Sequence, residues 1–323
     1  QRGLPLNFKW QYQRPVPVGK RGDEAVLEYT AKFDHVTLSA DEMKVKPEEI
    51  EAGYERLDAE TREAIEYAVK NIRNFHSKQM PEEMWFTEVD KGLLVGEKTT
   101  PIVDVCLYVP RGKGSFPSVL CMLATPAVVA GVEKIVVVTP PNEEGNVDDA
   151  ILAAAKIIGV SEIYKVGGIQ AVASVAYGTE TIPKCHKIIG PGNAYATAAK
   201  RVLSNYIDSG LPAGPSECII LADENADPEK VALDWMIEAE HGPDSAALLV
   251  TNCEELVYKA AEIVERQLEK ISDKRREFVT TNFNTYGGAI ITESLEESID
   301  FVNDYAPEHM EVMTEKPFDT LPK

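Results

Sequence analysis

Among the five histidines of this 323-residue chain, two stand beside carboxylates in patterns that can do chemistry. The first pattern is Glu238-Ala-Glu-His-Gly242. Glu238 and His241 occupy positions i and i+3, so on a helix they face one side, as a Glu-x-x-His metal pair does. A carboxylate and an imidazole suit zinc or manganese. A histidine favoured by the dipole at a helix C-terminus fits the same spacing. The second pattern is Tyr305-Ala-Pro-Glu-His-Met310. Glu308 and His309 follow a proline and cannot share one face of a regular element. A loop is therefore expected there, offering two titratable groups for two proton-transfer tasks. His35, His76 and His186 have no such setting and read as surface or packing residues.

Four loops stand out by composition: Tyr108-Val-Pro-Arg-Gly-Lys-Gly-Ser115, Val166-Gly-Gly-Ile-Gln170, Ile189-Gly-Pro-Gly-Asn193 and Ala213-Gly-Pro-Ser-Glu217. The first three each lie between an expected strand and an expected helix, and the fourth precedes a strand. Glycine lets a backbone approach a phosphate, and the first amides of the next helix point at it. Tight turns also demand glycine for steric reasons alone. Three such loops after three strands favour a nucleotide or a phosphorylated ligand. No P-loop motif is present, and the run from Gly190 reaches Tyr195 where a dinucleotide fingerprint has glycine or alanine.

The elements that must carry these residues change character along the chain. Residues 1–21 contain several prolines and little periodicity and are expected to form an extended arm. Helices are expected over Gly22–Phe33, from Pro47, and over Ala59–Ser77, the last with Ile65, Val69 and Ile72 on one face. From Ile102 onward, short β-branched runs alternate with helical patterns. That alternation predicts an α/β fold of two Rossmann-like parallel-sheet lobes behind a helical N-terminal region. Proline- and glycine-rich joints at 109–112 and 211–216 read as crossings between lobes around a cleft. The expected division is residues 22–108 with 219–323 as the first lobe, and 109–218 as the second, carrying the cofactor loops.

A net charge of −20 argues against a nucleic-acid partner, which needs a basic surface. No apolar run nears the roughly 20 residues that span a bilayer. The N-terminus lacks the basic-then-apolar order of a signal peptide, so a cytoplasmic location is expected. The five cysteines, Cys106, Cys121, Cys185, Cys218 and Cys253, lack C-x-x-C spacing and read as small buried hydrophobes of a reducing compartment.

Taken in order, the runs Tyr108-Val-Pro-Arg-Gly112, Pro126-Ala-Val-Val-Ala-Gly-Val132, Lys165-Val-Gly-Gly-Ile-Gln-Ala171, Ala176-Tyr-Gly-Thr-Glu-Thr-Ile-Pro183, Gly190-Pro-Gly-Asn193, Ala213-Gly-Pro-Ser-Glu217, Ala239-Glu-His241 and Tyr305-Ala-Pro-Glu-His309 resemble the histidinol dehydrogenase family. The resemblance runs from about Gly22 to the last residue. It implies NAD as cofactor and two successive hydride transfers that take an amino alcohol through an aldehyde to a carboxylate. It implies that Tyr108, Gln170 and Asn193 contact NAD. Ser216, Glu238, His241 and His309 would meet the substrate, and Glu238 and His241 would hold zinc, replaceable by manganese. His309 would be the base that removes the alcohol proton and Glu308 the residue that activates water. It implies a homodimer, and a C-terminal segment beyond Lys323 that supplies further metal ligands. Two departures bear on substrate: Glu238 stands where the family has glutamine, and Arg111 where it has glycine. A related dehydrogenase acting on another polar primary alcohol, such as a sulfonated diol, and a catalytically inactive homologue are the alternatives.

Overall fold

The computed structural model describes residues 15–111, 114–210 and 215–323. Helices α1 (Pro15–Arg21), α2 (Asp23–Phe33), α3 (Pro47–Arg56) and α4 (Ala59–Lys78) come first. Their limits follow local chemistry. Pro47 fills the first turn of α3, where a missing N–H costs nothing. Asp58 caps α4 by accepting from the Thr61 amide at 2.8 Å. The expected arm over 1–21 is thus helical from Pro15, while residues 1–14 lie outside those described. A hairpin follows that the sequence reading missed: β1 (Met84–Asp90) and β2 (Leu93–Lys98), antiparallel, closed by Lys91 and Gly92. Every residue of both strands is exposed, so no in–out alternation marks them.

Next come β3 (Asp104–Tyr108), α5 (Pro117–Val129), β4 (Lys134–Thr139), α6 (Asp149–Ile158), β5 (Glu162–Lys165), α7 (Gly168–Tyr177), β6 (Ile188–Ile189) and α8 (Ala194–Val202). The four strands form one parallel sheet in the order β5-β4-β3-β6. Residues of β3 alternate between two cores, as a strand covered on both faces must. Cys106 and Tyr108 pack with α7 and α8, whereas Val105 and Leu107 pack with residues of α4, α5 and α6.

The second sheet uses β7 (Glu217–Ala222), α9 (Pro228–Ala239), β8 (Ala246–Thr251), α10 (Glu254–Leu268), α11 (Asp273–Phe283), β9 (Gly288–Ile291), α12 (Leu295–Tyr305) and β10 (His309–Met313), before the short α13 (Pro317–Thr320). It too is parallel, in the order β10-β7-β8-β9. Ile220 and Ala222 pack against α9, α10 and α11, and Ile219 and Leu221 against α12.

The chain divides into contiguous units, Gln1–Ala213 and Gly214–Lys323, which corrects the expected discontinuous lobe. Two observations explain the difference. The joint at 109–112 follows β3, and β3 pairs with β4 and β6, so that joint is a turn within one sheet. Residues 43–45 also run along the free edge of β5. There Val45 N–H donates to the Ile163 carbonyl at 2.9 Å, and Lys165 N–H to that of Met43 at 2.7 Å. The N-terminal helices therefore belong with 109–213. The joint at 211–214 lies outside the described residues. Among the described residues, no helix is long and apolar enough to cross a membrane.

Leu249 is fully buried at the centre of the second sheet. Leu249→Ala is expected to destabilise that unit by about 2–5 kcal/mol through lost contacts and a cavity, read as a lower urea midpoint.

Candidate functional site

In the first unit, strand order reverses between β3 and β6, which is where open parallel sheets bind ligands beyond their carboxyl ends. Tyr108 ends β3, and Gly190-Pro-Gly-Asn193 follows β6. Tyr108 is 2% exposed, and its hydroxyl accepts the Gly168 N–H at 2.9 Å. Burial pushes the phenol up to about 12, so it stays neutral. Gln170, 1% exposed, donates from Nε2 to Asp34 at 3.0 Å, and its Oε1 has no hydrogen-bond partner. Asn193 is exposed, and its side-chain oxygen accepts from the amides of Tyr195 and Ala196, both at 3.0 Å. Those amides are therefore taken by the cap, which leaves the Asn193 amide N–H₂ as the group free to meet a ligand.

The glycines divide into two kinds of demand. At Gly190, φ is 128° and a Cβ would fall 2.2 Å from the Tyr108 carbonyl oxygen. At Gly167 a Cβ would fall 2.3 Å from Pro140. Both are required by packing of the chain on itself. Lys200, which the sequence reading missed, is 8% exposed, donates to the Gly190 carbonyl at 2.5 Å and lies 5.6 Å from the Tyr108 ring centre. Burial lowers its ammonium from the ordinary range. Arg111 Nε lies 3.4 Å from the Asp148 carboxylate, an ion pair without a hydrogen bond. Residues 112 and 113 lie outside those described.

In the second unit the candidate residues gather at the amino edge of the sheet. Ser216 precedes β7, His309 is the first residue of β10, and His309 pairs with Cys218 in register. Helix α9 runs back across the sheet and delivers Glu238 and His241 to that same edge. This corrects the expectation that Glu308 and His309 both lie on a loop: Glu308 precedes the strand, and His309 begins it. Ala306, left-handed at φ 51°, stops α12 and turns the chain into β10. Gly242 does not end α9; Glu240 caps it in right-handed conformation.

Both imidazoles have one nitrogen fixed by backbone. Nδ1 of His241 is 2.7 Å from the Ile237 carbonyl, and Nδ1 of His309 is 3.2 Å from that of Glu217. A carbonyl can only accept, so each Nδ1 carries the proton and each Nε2 keeps a lone pair. Glu238 is 7% exposed and its Oε1 has no partner. Burial raises its carboxyl, while His241 and His309 pull it down, Glu308 raises it and a Ser245 hydrogen bond lowers it. These four titratable groups thus share one electrostatic environment. A buried carboxylate oxygen without a partner, on a group that two histidines influence electrostatically, has the chemistry to join a divalent-cation donor set. Among the described residues no group of three or more metal-ligating side chains occurs. Sequence reasoning missed Asp234 and Glu311. Asp234 is one turn before Glu238 on α9, and Glu311 is two residues past His309. Burial and a hydrogen bond with Asp234 raise the Glu311 carboxyl. The i, i+4 and i, i+2 spacings were the available signal.

The chain thus has two parallel α/β units, one with glycine-bearing loops at a reversal of strand order and the other with histidines and carboxylates gathered at one sheet edge. The sequence profile of the family described as histidinol dehydrogenase matches residues 16–323, and the chain belongs to that family. It is 50% identical over 306 residues to a histidinol dehydrogenase of Synechocystis, covering 95% of this chain and 70% of that protein. It is 46% identical over 303 residues to a histidinol dehydrogenase homolog of Colwellia psychrerythraea, covering 94% of this chain and 68% of that one. The crystal structure of histidinol dehydrogenase from Elizabethkingia anophelis superposes with a TM-score of 0.91 at 36% identity, over 99% of this chain and 72% of that one.

Four of the five cysteines are buried as the sequence predicts, and Cys253 is not fully so. Cys106, Cys121, Cys185 and Cys218 are buried and free. Burial pushes Cys121 up to about 11, Cys185 and Cys218 up to about 12, and Cys106 well above the usual thiol range. A raised thiol pKa means less thiolate at pH 8, and the thiolate is what reacts. Iodoacetamide at pH 8 is therefore expected to alkylate Cys253, which is partly exposed, before the other four, as read by peptide mass spectrometry of the native protein.

Proposed function

We propose that this chain catalyses the NAD-dependent oxidation of L-histidinol to L-histidine, in two hydride-transfer steps, in the cytoplasm. The observation that carries the reading is His309. It opens β10 with Nδ1 tied to a backbone carbonyl, so Nε2 stands ready as a base in the same electrostatic environment as Glu308 and Glu238. Hydride leaves readily only from an alkoxide-like carbon, so Nε2 takes the alcohol proton first. Glu308, exposed and adjacent, takes a proton from the water that adds to the aldehyde. His309, exposed and so able to release its first proton to solvent, then removes a proton from the hydrate before the second oxidation. NAD, when bound, supplies the hydride acceptor for each step.

Tyr108, Gln170 and Asn193 are the residues assigned to the cofactor, and the orphan Oε1 of Gln170 and the free amide N–H₂ of Asn193 support the fit. Because Tyr108 is buried, its part is to shape the floor under the loops and not to offer an exposed face. Glu238 and His241 would hold a divalent ion, zinc or manganese, which would supply a Lewis acid for the substrate oxygen. Ser216, partly exposed beside β7, would contact substrate with them. The buried carboxylate of Glu238 disfavours an anionic group placed beside it, which weighs against a sulfonated diol and for an amino alcohol carrying positive charge. Arg111, engaged with Asp148, gives the anionic alternative no support.

The test is a panel of primary alcohols with NAD reduction followed by absorbance, alongside His309→Asn. Histidinol is expected to be the preferred substrate. The variant is expected to lose about 10²–10⁴-fold in turnover while NADH affinity holds. Turnover on a sulfonated diol but not on histidinol would select the alternative, and no turnover on any alcohol would select the inactive homologue.

We infer also that the chain pairs with a second copy. Support comes from the hairpin, whose Trp85, Phe86, Val89, Leu93 and Leu94 are 41–66% exposed. They lie on both faces of the hairpin, Phe86 and Leu94 on one and Trp85 and Leu93 on the other, so neither face is covered by the described residues of this chain. A lone two-stranded hairpin is marginal in water, and the free edge of each strand can pair with its own copy. Phe86→Glu combined with Leu94→Glu is expected to convert a dimer to a monomer in light scattering. An unchanged dimer mass would remove the hairpin from the interface.

A further inference from the structure

Asp34 stands at the end of α2, 136 residues before Gln170 in the chain, yet its Oδ2 accepts from Gln170 Nε2 at 3.0 Å. The next residue, His35, is left-handed at φ 60° although it is not glycine. That conformation costs free energy and persists only where surrounding structure enforces it. Asp34 itself keeps right-handed backbone as the cap of α2; the chain changes course at His35, and the Asp34 carboxylate meets α7 through Gln170. Burial pushes its carboxyl up to about 6, with His35 and the Gln170 amide pulling it down. At neutral pH it is still mostly ionised and can only accept.

An acceptor-only neighbour decides which way an amide points. Were Gln170 turned over, its oxygen would face a carboxylate oxygen, two acceptors with no proton between them. With Nε2 committed to Asp34, Oε1 points at the Gly167–Gly168 turn, 3.0 Å from where a Cβ on Gly168 would sit. There it is buried and unpartnered. The Tyr108 hydroxyl accepts the Gly168 N–H and makes no hydrogen bond to Oε1. An unpaired acceptor in a buried setting is unfavourable, so the arrangement is one that a ligand donor completes.

We propose that Asp34 is a positioning residue of the cofactor half-site. It fixes the Gln170 amide so that Oε1 is presented as an acceptor to a hydrogen-bond donor of the bound nicotinamide cofactor. This rests on the reading that Gln170 serves NAD. Asp34 touches neither substrate nor cofactor; it acts through the amide, and the group it selects for is a donor, not a phosphate oxygen.

The experiment is a fluorescence titration of the full chain with NADH. Gln170→Ala tests the parent reading and is expected to weaken NADH about tenfold, the order expected for one buried hydrogen bond. Asp34→Ala is expected to weaken it by about the same factor. Asp34→Asn keeps an acceptor oxygen in the same place and is expected to bind within about threefold of wild type. Asp34→Ala and Gln170→Ala together are expected to bind no worse than either alone, because both remove one interaction. Should Asp34→Ala melt below the assay temperature, Asp34→Leu fills the volume without an acceptor and takes its place. If Gln170→Ala binds NADH like wild type, the parent reading and the proposal both fall. If Gln170→Ala weakens NADH but Asp34→Ala does not, the proposal alone falls. It falls equally if Asp34→Asn is no better than Asp34→Ala, or if the two effects multiply.

Discussion

One hydrogen bond ties the cofactor half of this protein together: the N–H of Gly168 on the hydroxyl of Tyr108. It joins the end of β3 to the start of α7, so the loops after two different strands cannot move independently. Lys200 extends the same lock, lying beside the Tyr108 ring while it holds the Gly190 carbonyl of a third loop. All of this happens in a nearly water-free setting, where polar contacts are strong when made and expensive when left unmade. The glycines belong to the same logic. Gly190 is glycine because the Tyr108 carbonyl comes too close for any side chain, and that closeness brings β3 and β6 together at the reversal of strand order.

The second unit works from a different constraint. Glu238 is a buried carboxylate with one oxygen unanswered, a state that a folded protein keeps only for a reason. Two histidines lower its cost and Glu308 raises it. Glu311 and Asp234 add a further pair of carboxyls that hold each other by hydrogen bonding, and the net effect of burial there is to favour a retained proton. Burial thus works against ionisation of both Glu238 and Glu311, and a neighbouring positive charge would offset that cost.

Much of this was legible in the residues. The βα alternation expected from Ile102 onward is the succession of parallel strands and helices observed, because apolar runs bounded by glycine, proline and aspartate leave little choice. The spacing of Glu238 and His241 singled them out, but it did not show that α9 ends at Ala239, two residues before the histidine. The hairpin was not, because an element exposed on every residue carries no burial rhythm. Nor was the division into units, because a proline-glycine joint reads alike whether it turns within a sheet or leaves it. The place of His309 was hidden for a similar reason. Pro307 marks an interruption but does not say that a strand begins two residues on, at the amino edge instead of the carboxyl one. Asp34 could not have been found, since nothing local links it to a glutamine 136 residues away.

The anchoring of both imidazoles on main-chain carbonyls reaches further than orientation. In many enzymes the tautomer of a histidine is set by a partner side chain, and a single codon change can undo it. Here the partners are the carbonyls of Ile237 and Glu217, which every amino acid at those positions would also provide. The proton's location is written into the backbone path of α9 and β7. Drift at positions 237 and 217 leaves it untouched, and the side chains there are free to answer other demands.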